Sequence, residues 1–397
     1  MTDKICEEIW ERLQNKHIRS FGGKELLQIS EQYAGVWLEH VYDAVLYAKL
    51  DKSKLYIARN TIEIFIDNQI DGQYPFCVKI VDDKVRCGYS QIQECVSFLT
   101  LAYEVSEMLN SREFDLKVYK SGVEWVNWLK ANRMTMGTGL TEMFVGYDTG
   151  HDNSGRLEGL VCKGNYVLPD GTRANAAVLP ENEETAPVIA VDMNCNFFGN
   201  LTALSKFARK LGLMEEAVMW EDEAKGVKKK LIEVCYDEAD AFFYDVDKKG
   251  NKRRYLSCTI FHLFMEKVLD RDEDKELIEK LKQRHIMNEN EFMTEYPFPS
   301  MAVNDASCEC HDDFNCWGYF TQGLIVLRCI RWMDYYNMSE EFDYICGQWL
   351  KAWTDCFEYF KLGQELDPHT GKPTKSSEWY SSCMLMYYYA AERLSKI

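Results

Sequence analysis

The chain has 397 residues, of which 46 are Lys or Arg and 64 are Asp or Glu, so its formal net charge is −18. A negative field of this size repels nucleic-acid phosphates and anionic lipid, which argues against both as partners and favours neutral ligands. Hydrophobic residues make up 46% of the chain and aromatic residues 13%, which is enough apolar material for a large core.

The cysteines and the N-terminus predict a protein of the cell interior. The 15 cysteines are odd in number and too sparse for a disulfide scaffold, so we expect reduced thiols. The N-terminal segment is charged and lacks the apolar core of a signal peptide, and no stretch has the length and apolarity of a membrane span. We therefore expect a cytoplasmic protein without membrane contact.

Helices dominate the predicted secondary structure. Apolar residues recur at intervals of three and four along most of the chain, a spacing typical of amphipathic helices. Breaks such as Asn110-Ser111 and Leu211-Gly212-Leu213 separate neighbouring helices. The pattern predicts about twelve helices, mostly in adjacent pairs: 3–17, 26–47, 51–69, 89–110, 112–132, 192–213, 214–236, 256–270, 273–286, 315–337, 339–362 and 376–395.

Two long segments, 134–190 and 287–314, interrupt this pattern, and long loops in a compact helical protein are usually functional. Short extended stretches at 241–244 and 253–256 flank Lys248-Lys-Gly-Asn251 and predict a small hairpin. No linker divides the chain, so we predict a single domain, 1–397. Because no repeat of fixed period is present, paired helices of unequal length favour a closed toroid over an open superhelix.

The segment Asp148-Thr-Gly-His-Asp152-Asn-Ser-Gly-Arg156 concentrates polar groups in one glycine-punctuated loop. A surface loop with Asx turns is one interpretation. The other is a site that cleaves sugars, which needs a carboxylic acid beside polar groups that hold hydroxyls and aromatic faces that hold the ring. Trp125 and Trp128 precede the loop, and the composition suits the second interpretation as well as the first.

The same loop resembles the Glu-Ser-Gly-x-Asp-Asn-Ser-Pro-Arg segment of glycoside hydrolase family 63 and of the related trehalases and mannosylglycerate hydrolases. Further segments of this chain resemble other motifs of these proteins, in the same order and over nearly the whole chain. They are Val41-Tyr-Asp43, Gly72-Gln-Tyr-Pro75 with Tyr89-Ser-Gln-Ile-Gln93, Val191-Asp192-Met-Asn194, Cys316-Trp317-Gly318, Gln364-Glu-Leu-Asp-Pro-His-Thr-Gly371 and Ser377-Glu-Trp-Tyr-Ser381.

This resemblance implies an all-α (α/α)6 toroid of about six helical hairpins with long loops on one face. It also implies an enzyme that hydrolyses a glycosidic bond with inversion and uses two carboxyl groups. Asp152 takes the position of the general acid. A proton donor at neutral pH needs a raised pKa, and we expect Asp148 or Glu142 to be the neighbouring carboxylate that raises it.

The partner of the acid departs from the family pattern, because Gln364 stands where the motif has its general-base Glu. Glutamine cannot accept a proton from water. Three explanations are open: a Glu-to-Gln substitution introduced to trap substrate, a one-residue shift that makes Glu365 the base, or a natural loss of activity. We favour the first, because Gln is the isosteric replacement and the surrounding motif is kept.

The resemblance also implies a set of residues around the sugar. Carboxylates and amides would hold hydroxyls, and a tryptophan would face the ring. Helix capping and core packing are the alternative roles for each of them. The set is Asp43, Gln93, Asp148, Arg156, Asp192, Asn194 and Trp317.

The sequence predicts no metal ion and no cofactor. Cys308-Glu-Cys310-His311-Asp-Asp313 has no second Cys/His pair at zinc spacing and is more typical of a surface turn. Asp245-Val-Asp247-Lys-Lys-Gly250 has Lys249 at a ligand position of a calcium loop. Gly137-Thr-Gly139 lacks the third glycine of a dinucleotide-binding motif.

Two functions follow from the sequence. The first is an inverting glycoside hydrolase, similar to α-glucosidases and trehalases, that acts on an α-linked glucoside or related small saccharide and is inactive in this form if Gln364 occupies the base position. The second is a catalytically silent helical toroid that binds saccharides or a protein partner.

Overall fold

The computed structural model describes residues 1–81, 84–161, 175–180, 184–308 and 317–396. The described residues form twelve α-helices: α1 (Thr2–Arg12), α2 (Val41–Leu50), α3 (Leu55–Asp67), α4 (Phe98–Leu109), α5 (Arg112–Asn132), α6 (Val191–Leu211), α7 (Met214–Cys235), α8 (Phe261–Met265), α9 (Lys275–Leu281), α10 (Gly323–Arg328), α11 (Ser339–Cys356) and α12 (Ser381–Leu394). Among them, we find no helix with the length and apolarity needed to cross a membrane.

Short strands connect the helices. They are β1 (Ile18–Phe21), β2 (Lys24–Leu27), β3 (Gly35–Trp37), β4 (Cys77–Val81), β5 (Lys84–Gly88), β6 (Glu142–Met143), β7 (Val188–Ile189), β8 (Tyr236–Asp237), β9 (Phe242–Phe243), β10 (Asp245–Val246), β11 (Lys252–Arg253), β12 (Thr321–Gln322) and β13 (Glu365–Leu366). Their sheets are small and antiparallel, with the orders β1-β2, β3-β4-β5, β11-β10-β7-β6, β8-β9 and β12-β13.

The helices differ in how far they are enclosed. In α2 every residue from Val41 to Ala48 is buried, and in α6 every residue from Val191 to Phe197 is buried. These enclosed helices touch one another: α2 contacts α4 and α12, α4 contacts α6, α6 contacts α8, and α10 contacts α12. By contrast, α7 buries Ala217, Trp220 and Ala224 at helical spacing and packs one face on α6, as expected for an outer helix.

The breaks between helices have local causes, and those at Asn110-Ser111 and Leu211-Gly212-Leu213 were predicted from the sequence. The Ser97 and Ser111 side chains accept hydrogen bonds from backbone N–H groups in the first turns of α4 and α5. Asn110 and Gly212 adopt left-handed conformations, with φ of 49° and 86°, and end α4 and α6.

Several helix predictions were wrong in extent; of the predicted helix 256–270, for example, only Phe261–Met265 forms an α-helix. The predicted helix 26–47 is helical only from Val41, because β3 pairs with β4 so closely that a Cβ on Gly35 would lie 2.8 Å from the Val78 carbonyl oxygen. The predicted helix 89–110 begins at Phe98, and only Gly323–Arg328 of 315–337 forms an α-helix. Residues 90–97 are all buried, so their apolar residues carry no face that distinguishes helix from extended chain.

A hairpin turns around 248–251 as predicted, but its strands are β10 and β11 rather than the predicted stretches 241–244 and 253–256. Asp245 pairs with Arg253 and Val246 with Lys252. Asp247 closes the turn, because its Oδ1 accepts the backbone N–H groups of Lys249 (2.8 Å) and Asn251 (2.9 Å).

Candidate active site

The loop that carries Asp152 is anchored through Asp148. Arg133 donates to both Asp148 oxygens, at 2.6 Å and 3.2 Å. The same oxygens accept the backbone N–H groups of Ile92, Phe144 and Val145 at 2.8 to 3.1 Å. With this many donors on its two oxygens, the buried Asp148 side chain fixes the loop in place.

A cavity of about 70 Å³ opens beside the loop. It brings together four predicted site residues that are far apart in sequence, namely Gln93, Asp152, Trp317 and Gln364. The described residues that line it are Ile29, Tyr33, Trp37, Glu39, His40, Gln93, Gly150, Asp152, Trp317, Gln364 and Tyr380.

The carboxyl group placed beside Asp152 is that of Glu39. Burial and then the negative charge of Asp152 raise the pKa of Glu39 to about 8, against the opposing effects of Arg328 and of a hydrogen bond from Gln93 Nε2 (3.0 Å). Two carboxyl groups this close resist ionising together. Glu39 therefore occupies the place that the sequence analysis gave to Asp148 or Glu142.

Glu142 is held elsewhere, which explains the difference. It is fully buried, and its carboxylate accepts hydrogen bonds from Thr135 Oγ1 and the Met136 N–H, both at 2.6 Å. Asp148 and Glu142 each satisfy backbone and side-chain donors around the loop, and neither is among the described residues that line the cavity.

Gln364 and Glu365 have different surroundings. Gln364 lines the cavity, and its backbone N–H donates to Ser376 Oγ at 2.9 Å. Glu365 begins β13, and its carboxylate accepts hydrogen bonds from Thr374 Oγ1 (2.9 Å) and Gln322 Nε2. Successive side chains of an extended segment point to opposite sides, which accounts for the separation.

Aromatic side chains form much of the cavity wall. Trp317 stacks on the His151 ring with centroids 4.6 Å apart. Tyr380 contacts His40, whose Nε2 lies 2.6 Å from the tyrosine hydroxyl. Trp37 and Tyr33 complete this side. Indole and phenol rings present the apolar faces that sugar rings need.

The sequence analysis missed Tyr33, Trp37, Glu39, His40 and Tyr380. The first four fall in the predicted helix 26–47, which hid their role. The sequence does contain an indication of this site, namely Trp37-Leu-Glu39, an aromatic residue close to a carboxylate directly before the start of α2. Asp43, which was predicted instead, lies inside that helix.

Asp43 does not belong to the described cavity lining. Its Oδ2 accepts the hydroxyl groups of Ser381 (2.5 Å) and Ser382 (2.8 Å), so it ties α2 to the start of α12. Burial raises its pKa to about 6, although these hydrogen bonds oppose the shift.

Arg156, Asp192 and Asn194 form a buried network instead of lining the cavity. Arg156 donates to Asp192 Oδ2 at 2.5 Å and to Asp245 Oδ2 at 2.7 Å. Asn194 bonds the backbone N–H and carbonyl of Thr141 at 2.7 and 2.9 Å. Buried charges need such partners, and these residues join α6 to the loop and to β10.

One cluster in the described part of the chain has the geometry of a metal site. Ligand atoms of His151, Asp192 and His262 lie within 4.8 Å of one another. However, the Arg156 guanidinium is bonded to Asp192, and its positive charge opposes a cation there. The sequence analysis did not predict this cluster; the Cys/His segment that it considered as a zinc site, with Cys310, His311 and Asp313, lies outside the described residues.

The comparisons with known proteins agree with a glycosidase fold. The chain resembles the GH63 mannosylglycerate hydrolase from Thermus thermophilus, solved with glucose, with a TM-score of 0.72 and 16% identity over 97% of this chain and 99% of that one. Neutral trehalase from Saccharomyces cerevisiae gives a TM-score of 0.68 and 13% identity over 93% and 73%. A rhamnosidase from Klebsiella oxytoca with bound rhamnose gives 0.64 and 12% over 99% and 64%. The protein thus has a helix-rich fold similar to the (α/α) barrels of these enzymes.

Sequence comparison identifies the family of the chain. A search of the curated proteins finds no significant match. Residues 47–317 match the family described as the mannosylglycerate hydrolase MGH1-like glycoside hydrolase domain. The match includes Gln93, Asp152 and Trp317 of the cavity and ends before Gln364. Because it extends over more than half of the sequence, the chain belongs to the MGH1-like glycoside hydrolase family.

Proposed function

We propose that the protein is built to hydrolyse an α-linked glucoside or a related small saccharide with inversion at the anomeric carbon. Asp152 protonates the glycosidic oxygen, and the residue at position 364 faces the water that attacks from the opposite side of the ring. With Gln364 in place that water lacks a base, so this form of the protein binds its substrate and hydrolyses it very slowly.

The observation that carries this proposal is the shared cavity of Asp152 and Gln364. These residues are distant in sequence and occupy the acid and base positions of the family motifs. Glu39 supports the role of Asp152, because a pair of neighbouring carboxyl groups retains one proton more readily than an isolated acid. Trp317 and Trp37 offer faces for the sugar ring.

The proposed substrate class draws on relatives whose names include mannosylglycerate hydrolase and trehalase. Mannosylglycerate and trehalose are both small saccharides, and a cavity walled by aromatic and hydroxyl-bonding groups is compatible with such a ligand. We also propose that the enclosed helices and their outer partners close into the six-hairpin toroid, as a single domain. The contacts of α2 with both α4 and α12 support a closed ring.

The test is to convert Gln364→Glu and incubate the protein with mannosylglycerate, trehalose and other α-glucosides, following the released anomer by proton NMR. We expect hydrolysis to rise by at least about a hundredfold, with the β anomer of the attacked sugar appearing first. With mannosylglycerate, initial release of the α anomer would contradict inversion; with trehalose, whose leaving glucose is itself α, the contradicting result is release of α-glucose without β-glucose.

The matched control is Glu365→Gln. It should leave the protein inactive and reduce its stability, because Glu365 accepts hydrogen bonds from Thr374 and Gln322. If Gln364→Glu is inert and Glu365→Gln abolishes a measurable activity, Glu365 is the base.

A saccharide-binding protein without catalysis is the second candidate, and Gln364 is the observation that favours it. The two functions make different demands on Asp152. A binding protein tolerates Asp152→Asn with unchanged saccharide affinity and shows no turnover after Gln364→Glu, measured by isothermal titration and NMR.

A further inference from the structure

A second and larger cavity is separate from the saccharide cavity beside Asp152. Its volume is about 400 Å³, within the range of pockets that hold small molecules. Its walls come from α2, α4, α6 and the residues that follow α8 and α10. In the described part of the chain, the two cavities share no lining residue.

Positive charge dominates the wall of the second cavity. Among the described residues that line it, the charged side chains are Lys49, Lys206, Lys267 and Arg331, with Glu104 and Glu266. Even with both carboxyl groups ionised, two positive charges stay in excess. The chain as a whole has a formal net charge of −18, so this wall differs in sign from the average of the molecule. It suits an anion that the rest of the protein repels.

The two carboxyl groups of the wall already have other partners. Glu104 accepts from Lys49 and from Arg331, both at 2.7 Å. Burial opposes the ionisation of Glu104, but these two cations outweigh it and hold its pKa below the ordinary value. Burial raises the pKa of Glu266, whose Oε1 accepts the backbone N–H of Ser97 at 3.0 Å.

Lys206 and Lys267 are the two cations of the wall with no carboxylate partner among the described residues. Nζ of Lys206 lies 5.5 Å from the ring centroid of Tyr103, and Nζ of Lys267 lies 4.3 Å from that of Tyr335. Burial, and then the positive charges of Lys206 and Arg331, lower the pKa of Lys267. The fold therefore brings like charges together at this cavity.

The backbone of Lys267 is also unusual. It follows α8 in the left-handed conformation, with φ of 56°. The N–H groups of Lys267 and Val268 donate to the carbonyls of Phe264 (3.0 Å) and Leu263 (2.9 Å), an ending at which glycine is the most common residue. A lysine here costs stability relative to glycine. In return it brings an ammonium group to the cavity.

We propose that the second cavity binds a small phosphate monoester whose organic part carries hydroxyl groups. Such a monoester has close to two negative charges at neutral pH, which matches the excess charge of the wall. Lys206 and Lys267 donate to the phosphate oxygens, because their long, exposed side chains can turn towards the ligand. Thr100 and Thr202 bring hydroxyl groups to the space beyond the phosphate. The site does not depend on the proposed hydrolysis.

The first measurement is the thermal midpoint of the full chain in glycerol phosphate, against glycerol with sodium chloride at equal ionic strength. We expect a saturable rise, of about 3 °C at roughly a hundred times the dissociation constant. Equal midpoints overturn the proposal. Inorganic phosphate should need at least about ten times the concentration for the same rise, because it leaves the rest of the cavity unfilled. Half-saturation by inorganic phosphate at an equal or lower concentration overturns the assignment to a monoester.

The second measurement repeats this comparison on charge variants. Lys206→Met and Lys267→Met each remove one phosphate donor and should abolish the rise. Lys120→Met is the matched control, because Lys120 is an exposed lysine of α5 that does not line the cavity, and this variant should keep the rise. A rise that survives in either cavity variant, or disappears in the control, overturns the proposal.

Lys267→Gly separates binding from stability. Without ligand its thermal midpoint should rise by about 1 °C, because glycine adopts a φ of 56° without strain. Its response to glycerol phosphate should disappear. A variant that keeps the response overturns the proposal. A variant that loses both the response and thermal stability shows a structural role for Lys267 and also overturns it.

Discussion

Two carboxylates four residues apart in one loop have opposite surroundings. Asp148 is enclosed by the Arg133 guanidinium and three backbone N–H groups. Asp152 lines a cavity in which its ionisable neighbour is another carboxyl group, Glu39. The two residues of this motif thus differ in role: Asp148 holds the loop in place, and Asp152, in the proposed function, meets the saccharide in a fixed position.

The residues of the cavity differ in the same way from the buried ion pairs of Arg156 beyond the loop. Arg156 at the end of the motif carries opposite charges on both sides, from Asp192 and Asp245. Each of its Nη atoms thus has a carboxylate partner without a ligand. Gln93, Trp317 and Gln364 have surfaces that a ligand can reach. Substitutions of cavity residues should therefore change turnover, and substitutions of the Arg156 ion pairs should change stability.

The largest expected effect is on turnover. In the Gln364→Glu protein, Asp152→Asn removes the proton donor and should lower kcat about a thousandfold, while the thermal midpoint moves by less than about 2 °C. Steady-state kinetics and thermal unfolding of the same preparations measure both.

Asp148→Asn is the matched variant for this comparison. It leaves Arg133 buried with a neutral partner, so its main effect should be a loss of about 3 kcal/mol in unfolding free energy. If Asp148→Asn keeps its stability and loses turnover as strongly as Asp152→Asn, the assigned division of roles is wrong.

The next effect is on stability alone. Arg156→Met leaves Asp192 and Asp245 buried without a cation and should reduce the unfolding free energy by about 3 to 5 kcal/mol, measured by urea denaturation. Replacing the exposed Arg19→Met, which has no carboxylate partner among the described residues, should change it by less than about 0.5 kcal/mol. Equal losses from the two substitutions would show that the network contributes nothing.

These contrasts also show what a sequence can predict. Helices with one apolar face, such as α7, and helices bounded by caps, such as α5, were predicted nearly to their ends. The strand β3 was not, since it pairs with β4, about forty residues further along the chain. Likewise, Asp152 and Gln364 were predicted as a pair from motifs. The role of Glu39 follows only from the fold, which turns it towards a loop more than a hundred residues away.

A further prediction concerns pH. The pKa of Glu39 is raised from its ordinary value of 4.5 to about 8. Between these values the unfolded chain has lost the Glu39 proton and the folded chain keeps it, so stability falls as pH rises through this window. Glu39→Gln removes this dependence.

Relative to the unaltered protein, the Glu39→Gln variant should gain stability from pH 5 to pH 8 by up to about 1.4 kcal/mol per pH unit. Urea denaturation at several pH values measures the difference. The exposed Glu358→Gln should show no such trend. A Glu39→Gln difference that is constant with pH would mean that Glu39 is ionised throughout.

The smallest effect is expected in the cavity wall. Tyr380→Phe removes the hydroxyl that lies 2.6 Å from His40 Nε2 and leaves that buried nitrogen without its partner, at a cost of about 1 kcal/mol in unfolding free energy. Tyr33→Phe, in the same wall, should cost less than about 0.5 kcal/mol, because Tyr33 is only half-buried and water replaces its hydroxyl's contacts. Urea denaturation of both variants separates the cases. Equal costs would mean that the bond between Tyr380 and His40 adds nothing to the wall, and the rigidity of the cavity would then rest on the anchored loop alone.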